Sequence, residues 1–269
     1  MENGTIIAPQ RQFTLKDKVF IVTGGGRGLG LCMAEAMTEA GAEVHCLDRL
    51  TSPDPDFLAT QSLAQKEHTG SLHYHHLDVR DSKHLHETVA RIASLHNRLD
   101  GLVAAAGVLQ LTDAIDYTPD DVTKTMDINY TGLFMTAQAV AKQMMERGCT
   151  GSIVLVASMS GIVANKGLNA PVYNSSKAAV IQLGRNLAME WGPKEIRVNS
   201  LCPGHILTPM VEQTFQKTEG LRELWEGENM LGRLARPEEF TGATIFMLSE
   251  ASRFMTGSSL VIDGGHTAW

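Results

Sequence analysis

Tyr173 and Lys177 stand four residues apart in the stretch Pro171-Val172-Tyr173-Asn174-Ser175-Ser176-Lys177. On a helix that spacing stacks the phenol and the ammonium on one face. Pro171 limits how far upstream such a helix can begin, and Ala178 and Ala179 favour its continuation. A free phenol titrates near pH ~10. A neighbouring cation favours its ionised form. A phenol tuned toward neutral pH can pass a proton to or from an alcohol oxygen. A serine hydroxyl reaching the same oxygen would hold it in place. One Tyr-x-x-x-Lys pair arises by chance often enough to decide nothing alone. It gains force if an independent nucleotide site lies upstream.

One does. Lys18-Val19-Phe20-Ile21-Val22-Thr23 is a short β-branched and aromatic run that predicts a strand. Gly24-Gly25-Gly26-Arg27-Gly28-Leu29-Gly30 follows at once, then a helical stretch from Leu31 to Ala40 closed by Gly41. Glu43-Val44-His45-Cys46-Leu47-Asp48 predicts the next strand. The glycine spacing is Gly-x-x-x-Gly-x-Gly rather than Gly-x-Gly-x-x-Gly. The physical need is similar, because glycines let the backbone and a helix N-terminus approach a pyrophosphate. Glycine-rich turns also occur without nucleotides. A strand before, a helix after and an acid ending the next strand favour the dinucleotide reading. The Asp48 carboxylate would accept from two ribose hydroxyls and repel a 2′-phosphate. Arg27 and Arg49 pull the other way, since a guanidinium can meet that phosphate. The carboxylate carries more weight, so NAD is expected, with NADP possible.

The elements needed to hold these groups are present. The 269 residues suffice for one large α/β domain. Hydrophobic content is 43%, mean hydropathy is −0.08, net charge is −7 and the pI is near 5.8. This describes a globular chain without the basic face that nucleic acid or an anionic membrane requires. No apolar run is long enough to span a bilayer. Residues 1–14 read as a loose lead-in without a secretory core, and 15–269 as a single domain. The cysteines Cys32, Cys46, Cys149 and Cys202 match no zinc spacing, and a reducing cytoplasm is expected. Seven of the ten histidines fall between His68 and His96. Their spacings give no metal-binding helix motif, so solvated histidines and no metal are expected.

Further helices are expected at Phe57–His68, Ser82–Leu95, Val122–Lys142, Tyr173–Trp191 and Pro237–Leu248. Asn129 interrupts the third of these and would bend the ladder or hold a water there. Further strands are expected at Ser71–Val79, Leu99–Ala106, Gly151–Ser158, Ile196–Leu201 and Ser258–Gly265. The strand at Gly151–Ser158 is near-continuously apolar, as a buried parallel strand should be. It delivers Ser158 and Ser160 past its carboxyl end, where α/β sheets bind ligands. Residues 205–234, above all Met210–Leu234, read as a substrate lid. The expected architecture is α/β: a Rossmann fold with a seven-stranded parallel sheet and helices on both faces.

Together these segments resemble the short-chain dehydrogenase/reductase family over about residues 15–269. The resemblance implies that Thr23, Gly24, Arg27, Gly28, Leu29 and Gly30 form the cofactor loop and that Asp78 and Val79 meet the adenine. It implies that Ala105, Ala106 and Gly107 lie against the cofactor. Pro203, Gly204, Ile206 and Thr208 would hold its nicotinamide end. Asn129, Ser160, Tyr173 and Lys177 would be catalytic. Ser160 stands thirteen residues before Tyr173, as the family's serine does, and Ser158 is two residues off that register. Asn129 would hold a relay water near Lys177, and Lys177 would also bind the nicotinamide ribose. Ala104-Ala105-Ala106-Gly107 departs from the family's Asn-Asn-Ala-Gly or Asn-Ala-Ala-Gly and lacks the asparagine that ties the fourth strand to its neighbours. Family members are mostly tetramers built on the two long helices, so a homotetramer or homodimer is implied, with Leu133, Phe134, Val180 and Leu183 as face candidates. The nearest look is that of fungal and microbial polyol or ketose dehydrogenases.

The expected reaction is NAD(P)-dependent interconversion of a secondary alcohol and a ketone on a small molecule. Asn165, Asn169, His205 and Gln110 favour a polyol or ketose. Met159, Ile162, Val163, Leu168 and Met210 would instead suit an apolar, aromatic or acyl-chain ketone. A catalytically silent dinucleotide-binding protein is the reading from another class.

Overall fold

The structure is a computed structural model that describes residues 12–67, 70–208, 211–212, 215–216 and 219–269. Seven parallel strands form its sheet: β1 Val19–Thr23, β2 Glu43–Asp48, β3 Ser71–His76, β4 Gly101–Ala104, β5 Gly151–Val156, β6 Ile196–Pro203 and β7 Ser259–Ile262. Their order is β3-β2-β1-β4-β5-β6-β7. The order reverses direction between β1 and β4. That switch point opens a crevice at the carboxyl ends of the strands.

Both faces of the sheet are covered, which is why the inner strands are largely apolar. On one side, α3 (Ser82–Leu95), α5 (Leu133–Glu146) and α6 (Pro171–Trp191) bury Leu85, Ile92, Leu133, Val140, Val180 and Leu187 against Ile21, Leu102, Ile153 and Val198. On the other, α1 (Gly28–Glu39), α2 (Pro55–Glu67) and a late helix, Thr241–Leu248, bury Met33, Met37, Phe57 and Met247 against Phe20, Val44, Val103 and Val154. The seven-stranded doubly wound sheet is the architecture the sequence predicts.

Element edges differ where the chain turns toward the crevice. β3 ends at His76, not Val79, because the Asp78 carboxylate closes a turn onto the Arg80 N–H at 3.0 Å. The long helix expected from Val122 is two helices, α4 (Pro119–Met126) and α5, joined by a π-helical turn at Asp127–Gly132 that contains Asn129. Such a turn marks a side chain inserted into a job other than helix packing. Thr118 and Asp121 form a capping box that starts α4 upstream of the expected Val122.

Within the segment read as a lid, α7 (Leu221–Gly227) packs Leu221 and Trp225 with Leu168, Ala170 and Leu234, and Tyr173 and Phe215 pack against this cluster. Met210 and His68 lie outside the described residues. The last helix is numbered α8 (Thr241–Leu248) and is preceded by a 3₁₀ turn at Pro237–Phe240.

Candidate active site

The loop between β1 and α1 is a cradle that side chains would destroy. A Cβ on Gly30 would lie 2.2 Å from the Gly24 carbonyl oxygen, and one on Gly24 would lie 2.9 Å from the Ala106 backbone. Gly28 sits at φ +58 with open space beside it. Arg27, the N-cap of α1, makes no capping hydrogen bond, and the first turn holds no acid. The first N–H groups of the helix are therefore free for an anion. At the rim, one Asp48 oxygen accepts from Gly26 N–H at 3.0 Å and the other from Leu50 N–H at 3.1 Å. Each oxygen keeps a lone pair for a diol. The residues present therefore fit a dinucleotide.

Thr23 and Ala105–Ala106 close the cradle floor: Ala105 N–H donates to the Thr23 carbonyl at 3.2 Å and Ala106 N–H to its hydroxyl at 3.3 Å. These two bonds, one to the Thr23 backbone and one to its side chain, hold β4's end to β1 without the missing asparagine. Asp78 is engaged by the Arg80 guanidinium at 2.6 Å, which holds its carboxyl below the usual range. Gly204 N–H donates to the Ile262 carbonyl at 2.9 Å, and a Cβ on Gly204 would lie 2.6 Å from Asp263 Cα. Ile206 bridges to Ala235, and Thr208 Oγ1 accepts from Val211 N–H at 3.3 Å. Arg27 and Arg49 are exposed beside the cradle.

Pro171 is the first residue of α6, so Tyr173 and Lys177 fall in its first two turns and on one side. Lys177 is 4% exposed, its Nζ donates to the Val156 carbonyl at 2.8 Å, and it lies 5.6 Å from the centre of the Tyr173 ring. Burial pushes this ammonium down to about 8. Burial also pushes the Tyr173 phenol up, and a hydrogen bond from Ser158 pulls it part of the way back. The sequence predicts the opposite direction, from the nearby cation. Desolvation sets the direction here, and what opposes it is the Ser158 hydroxyl rather than the Lys177 ammonium.

Of the two serines after β5, Ser158 is the one whose hydroxyl acts on the Tyr173 phenol. Ser158 caps a 3₁₀ turn at Met159–Gly161 and accepts from Ser160 N–H at 3.1 Å, so Ser160 buttresses through its backbone. Asn129 is fully buried. Its Oδ1 accepts from Val108 N–H at 2.8 Å, and its Nδ2 donates to the Val108 carbonyl at 3.0 Å and to Ser176 Oγ at 3.1 Å. It ties the loop after β4 to α6. A Cβ on Gly107 would meet both Asn129 Oδ1 at 3.4 Å and Lys177 Nζ at 3.6 Å, so these two groups converge there.

The family described as enoyl-(acyl carrier protein) reductase matches residues 24–267. A short-chain dehydrogenase/reductase of Aspergillus versicolor is 42% identical over 262 residues, 96% of this chain and 89% of that protein. The chain is a short-chain dehydrogenase/reductase. A ribulose-forming D-arabinitol 2-dehydrogenase of Candida albicans is 34% identical over 96% of this chain and 95% of its own. Among solved structures, a short-chain type dehydrogenase/reductase from Mycobacterium marinum superposes with a TM-score of 0.87 at 33% identity, covering 98% of this chain and 100% of that one. The chain is thus an NAD(P)-dependent oxidoreductase acting on CH–OH groups, close to polyol dehydrogenases.

The side of this dehydrogenase facing α7 is polar where it is buried. The His205 ring stacks on Trp225 at 4.1 Å and 4°, and meets His266 edge-on at 5.4 Å. Asn165 Nδ2 lies 3.3 Å from His266 Nε2, and its Oδ1 accepts from Asn174 at 3.4 Å. Among the described residues, His205 Nε2, Trp225 Nε1, Asn229 Oδ1 and His266 Nδ1 are buried without a partner in the chain. Burial pushes His205 down to about 4, so it is neutral and can donate or accept.

Asn169 and Gln110 are placed differently. Asn169 is exposed and bonds Asp113 at 2.6 Å, while Gln110 bonds Thr112 at 3.2 Å. Of the apolar candidates, Leu168 packs into the α7 cluster and Met159 is buried, whereas Ile162 is exposed. Trp225, Asn229 and His266 were not singled out by the sequence, because their nearness to His205 comes from the fold of residues 220–266.

Proposed function

We propose that the chain is an NAD-linked dehydrogenase interconverting a secondary alcohol of a polyol with the matching ketose. The observation that carries the reaction is the grouping of buried Ser158 and Lys177 with half-buried Tyr173 beside the glycine cradle. When bound in the cradle, the nicotinamide would supply the hydride acceptor or donor. Thr23 and the residues from Gly24 to Gly30 would seat its pyrophosphate, Asp48 its adenosine ribose, Asp78–Val79 its adenine side. Ala105–Gly107, Pro203, Gly204, Ile206 and Thr208 would border its other end. Ser158 donates to the substrate oxygen. Tyr173 Oη takes the alcohol proton in oxidation and returns it in reduction. Lys177 supports the phenolate, and Asn129, which converges with it at Gly107, would hold the water that links Lys177 to solvent.

The polyol assignment rests on the unpartnered His205, His266 and Asn229 groups together with Asn165, which suit a ligand rich in hydroxyls. Leaving such groups unmatched costs about 1–3 kcal/mol each. An apolar ketone would match none of them. Asp48, with both oxygens oriented by backbone N–H groups, supports NAD over NADP. The test is turnover of sugar alcohols and ketoses against alicyclic and acyl-chain ketones, with NADH and NADPH in parallel. Ketose reduction with NADH is expected to lead. Turnover confined to the apolar ketones contradicts the substrate class, and binding without any turnover contradicts the activity.

Residues 15–269 act as one catalytic unit in this reading, with residues 205–234 closing over substrate. The outer groove between α5 and α6, lined by Phe134, Gln138, Leu183, Leu187 and Trp191 among others, fits pairing into a homodimer or homotetramer. Among the described residues no helix is long and apolar enough to cross a membrane, and all four cysteines are free. Both fit a cytoplasmic enzyme.

A further inference from the structure

The histidine-rich region that the reaction leaves unused is gathered by the sheet. Glu43 and His45 stand two residues apart on β2, so they share a face. The parallel register sets His45 opposite His73 and Leu47 opposite His75 on β3. His96, the C-cap of α3, closes over the same face. The Glu43 carboxylate is the centre of the cluster. Its oxygens lie 2.9 Å from His45 Nε2, 3.0 Å from His96 Nε2 and 4.0 Å from His73 Nε2. The ligand atoms of Glu43, His45 and His73 all fall within 4.8 Å of one another. A tetrahedral zinc with bonds of about 2.0–2.2 Å requires closure of only an ångström or so beyond that. The cluster opens to solvent through His73 and His96, 44% and 50% exposed, while His45 is 2% exposed.

We propose that Glu43, His45, His73 and His96 form a binding site for a borderline divalent cation of the zinc type. Imidazole and carboxylate are the donors such an ion takes, in the number a four-coordinate site needs. A hard ion such as magnesium would ask for an all-oxygen set instead. The deepest ligand is already oriented: His45 Nδ1 lies 2.9 Å from His75 Nε2. When His45 Nε2 binds the ion, its proton sits on Nδ1 and His75 accepts it. A partner of that kind fixes the ring and is worth about 10–100-fold in affinity. The site lies where β2 begins, while Tyr173 and Ser158 lie past the strand ends. The ion therefore clamps the edge strand β3 to β2 and α3 and takes no part in proton or hydride transfer. The helical spacing rule missed it because its ligands come from two strands and a helix end.

The test uses the untagged, chelator-stripped full chain, titrated with zinc by calorimetry and with cobalt by visible absorption. One equivalent, a tetrahedral cobalt spectrum and a raised melting temperature are expected. The double variant His73→Ala/His96→Ala changes two exposed residues. It should bind at least about tenfold more weakly, with turnover unchanged. His84→Ala/His86→Ala, in the first turns of α3 away from the cluster, should bind as the parent does. Equal binding in the His73/His96 variant, binding lost in the His84/His86 variant, or no binding by the parent would overturn the site.

Discussion

Two serines compete for one role at the end of β5, and spacing along the chain favours one while position in the fold favours the other. Counting back thirteen residues from Tyr173 lands on Ser160. That count crosses the irregular loop from Ile162 to Ala170, so it fixes no distance in space between serine and phenol. The strand end is the fixed reference, and it delivers Ser158 first. Ser158→Ala is expected to lower kcat by about 10²-fold, the usual scale for a lost donor to a developing oxyanion. Ser160→Ala should stay within a few fold. Steady-state kinetics on the two variants checks this, and the reverse order would restore Ser160. Lys177 gives a second residue-scale outcome. Its folded value of about 8 lies below the unfolded value of about 10.4. The unfolded chain therefore binds more protons between those values, and stability from this group rises with pH across the window. Below about 8 the buried ammonium is a full cost. Lys177→Met should thus melt higher than the parent at pH 7 while losing turnover, with the gap closing toward pH ~10.4. A lower melting temperature for the variant at pH 7 would contradict this.

At the scale of elements, the sheet and its helices could be read from the sequence because burial writes itself as pattern. Gly151–Val156 is apolar but for Ser152 since both its faces are covered, and Leu85, Val89 and Ile92 mark one stripe of α3. What pattern does not record is a change of helix type. Asn129 looked like a poor helix former in a long helix, and the chain answers with a π-turn that frees its amide to bond Val108. Nor does pattern separate a core stripe from an outer one. Of the four candidate contact residues, Leu133 and Val180 are sealed in the core, while Phe134 and Leu183 border the outer groove. The proposed assembly therefore depends on the outer pair with Leu187 and Trp191. Phe134→Glu should shift the protein to a smaller species in light scattering, with its far-ultraviolet spectrum retained. An unchanged mass would place the contact elsewhere.

For the whole molecule, the order β3-β2-β1-β4-β5-β6-β7 puts the glycine cradle and the Ser158–Tyr173 pair around one crevice. The cradle comes from β1, the serine from β5, and the phenol and amine from α6, which packs against β6 and the turn after β5. Each motif was visible locally in the chain. Their convergence was an inference from the parallel topology, and the His205–Trp225–His266 cluster was invisible because it joins segments sixty residues apart. In the proposed reaction the Tyr173 hydroxyl moves the substrate proton beside a bound dinucleotide. Tyr173→Phe removes that oxygen and leaves the ring's packing in place. Single-turnover kinetics on this variant, with dinucleotide affinity measured by calorimetry on the same sample, tests the claim most directly. A fall of about 10²–10⁴-fold in the chemical step is predicted, with affinity for the dinucleotide unchanged. Turnover near that of the parent would contradict it.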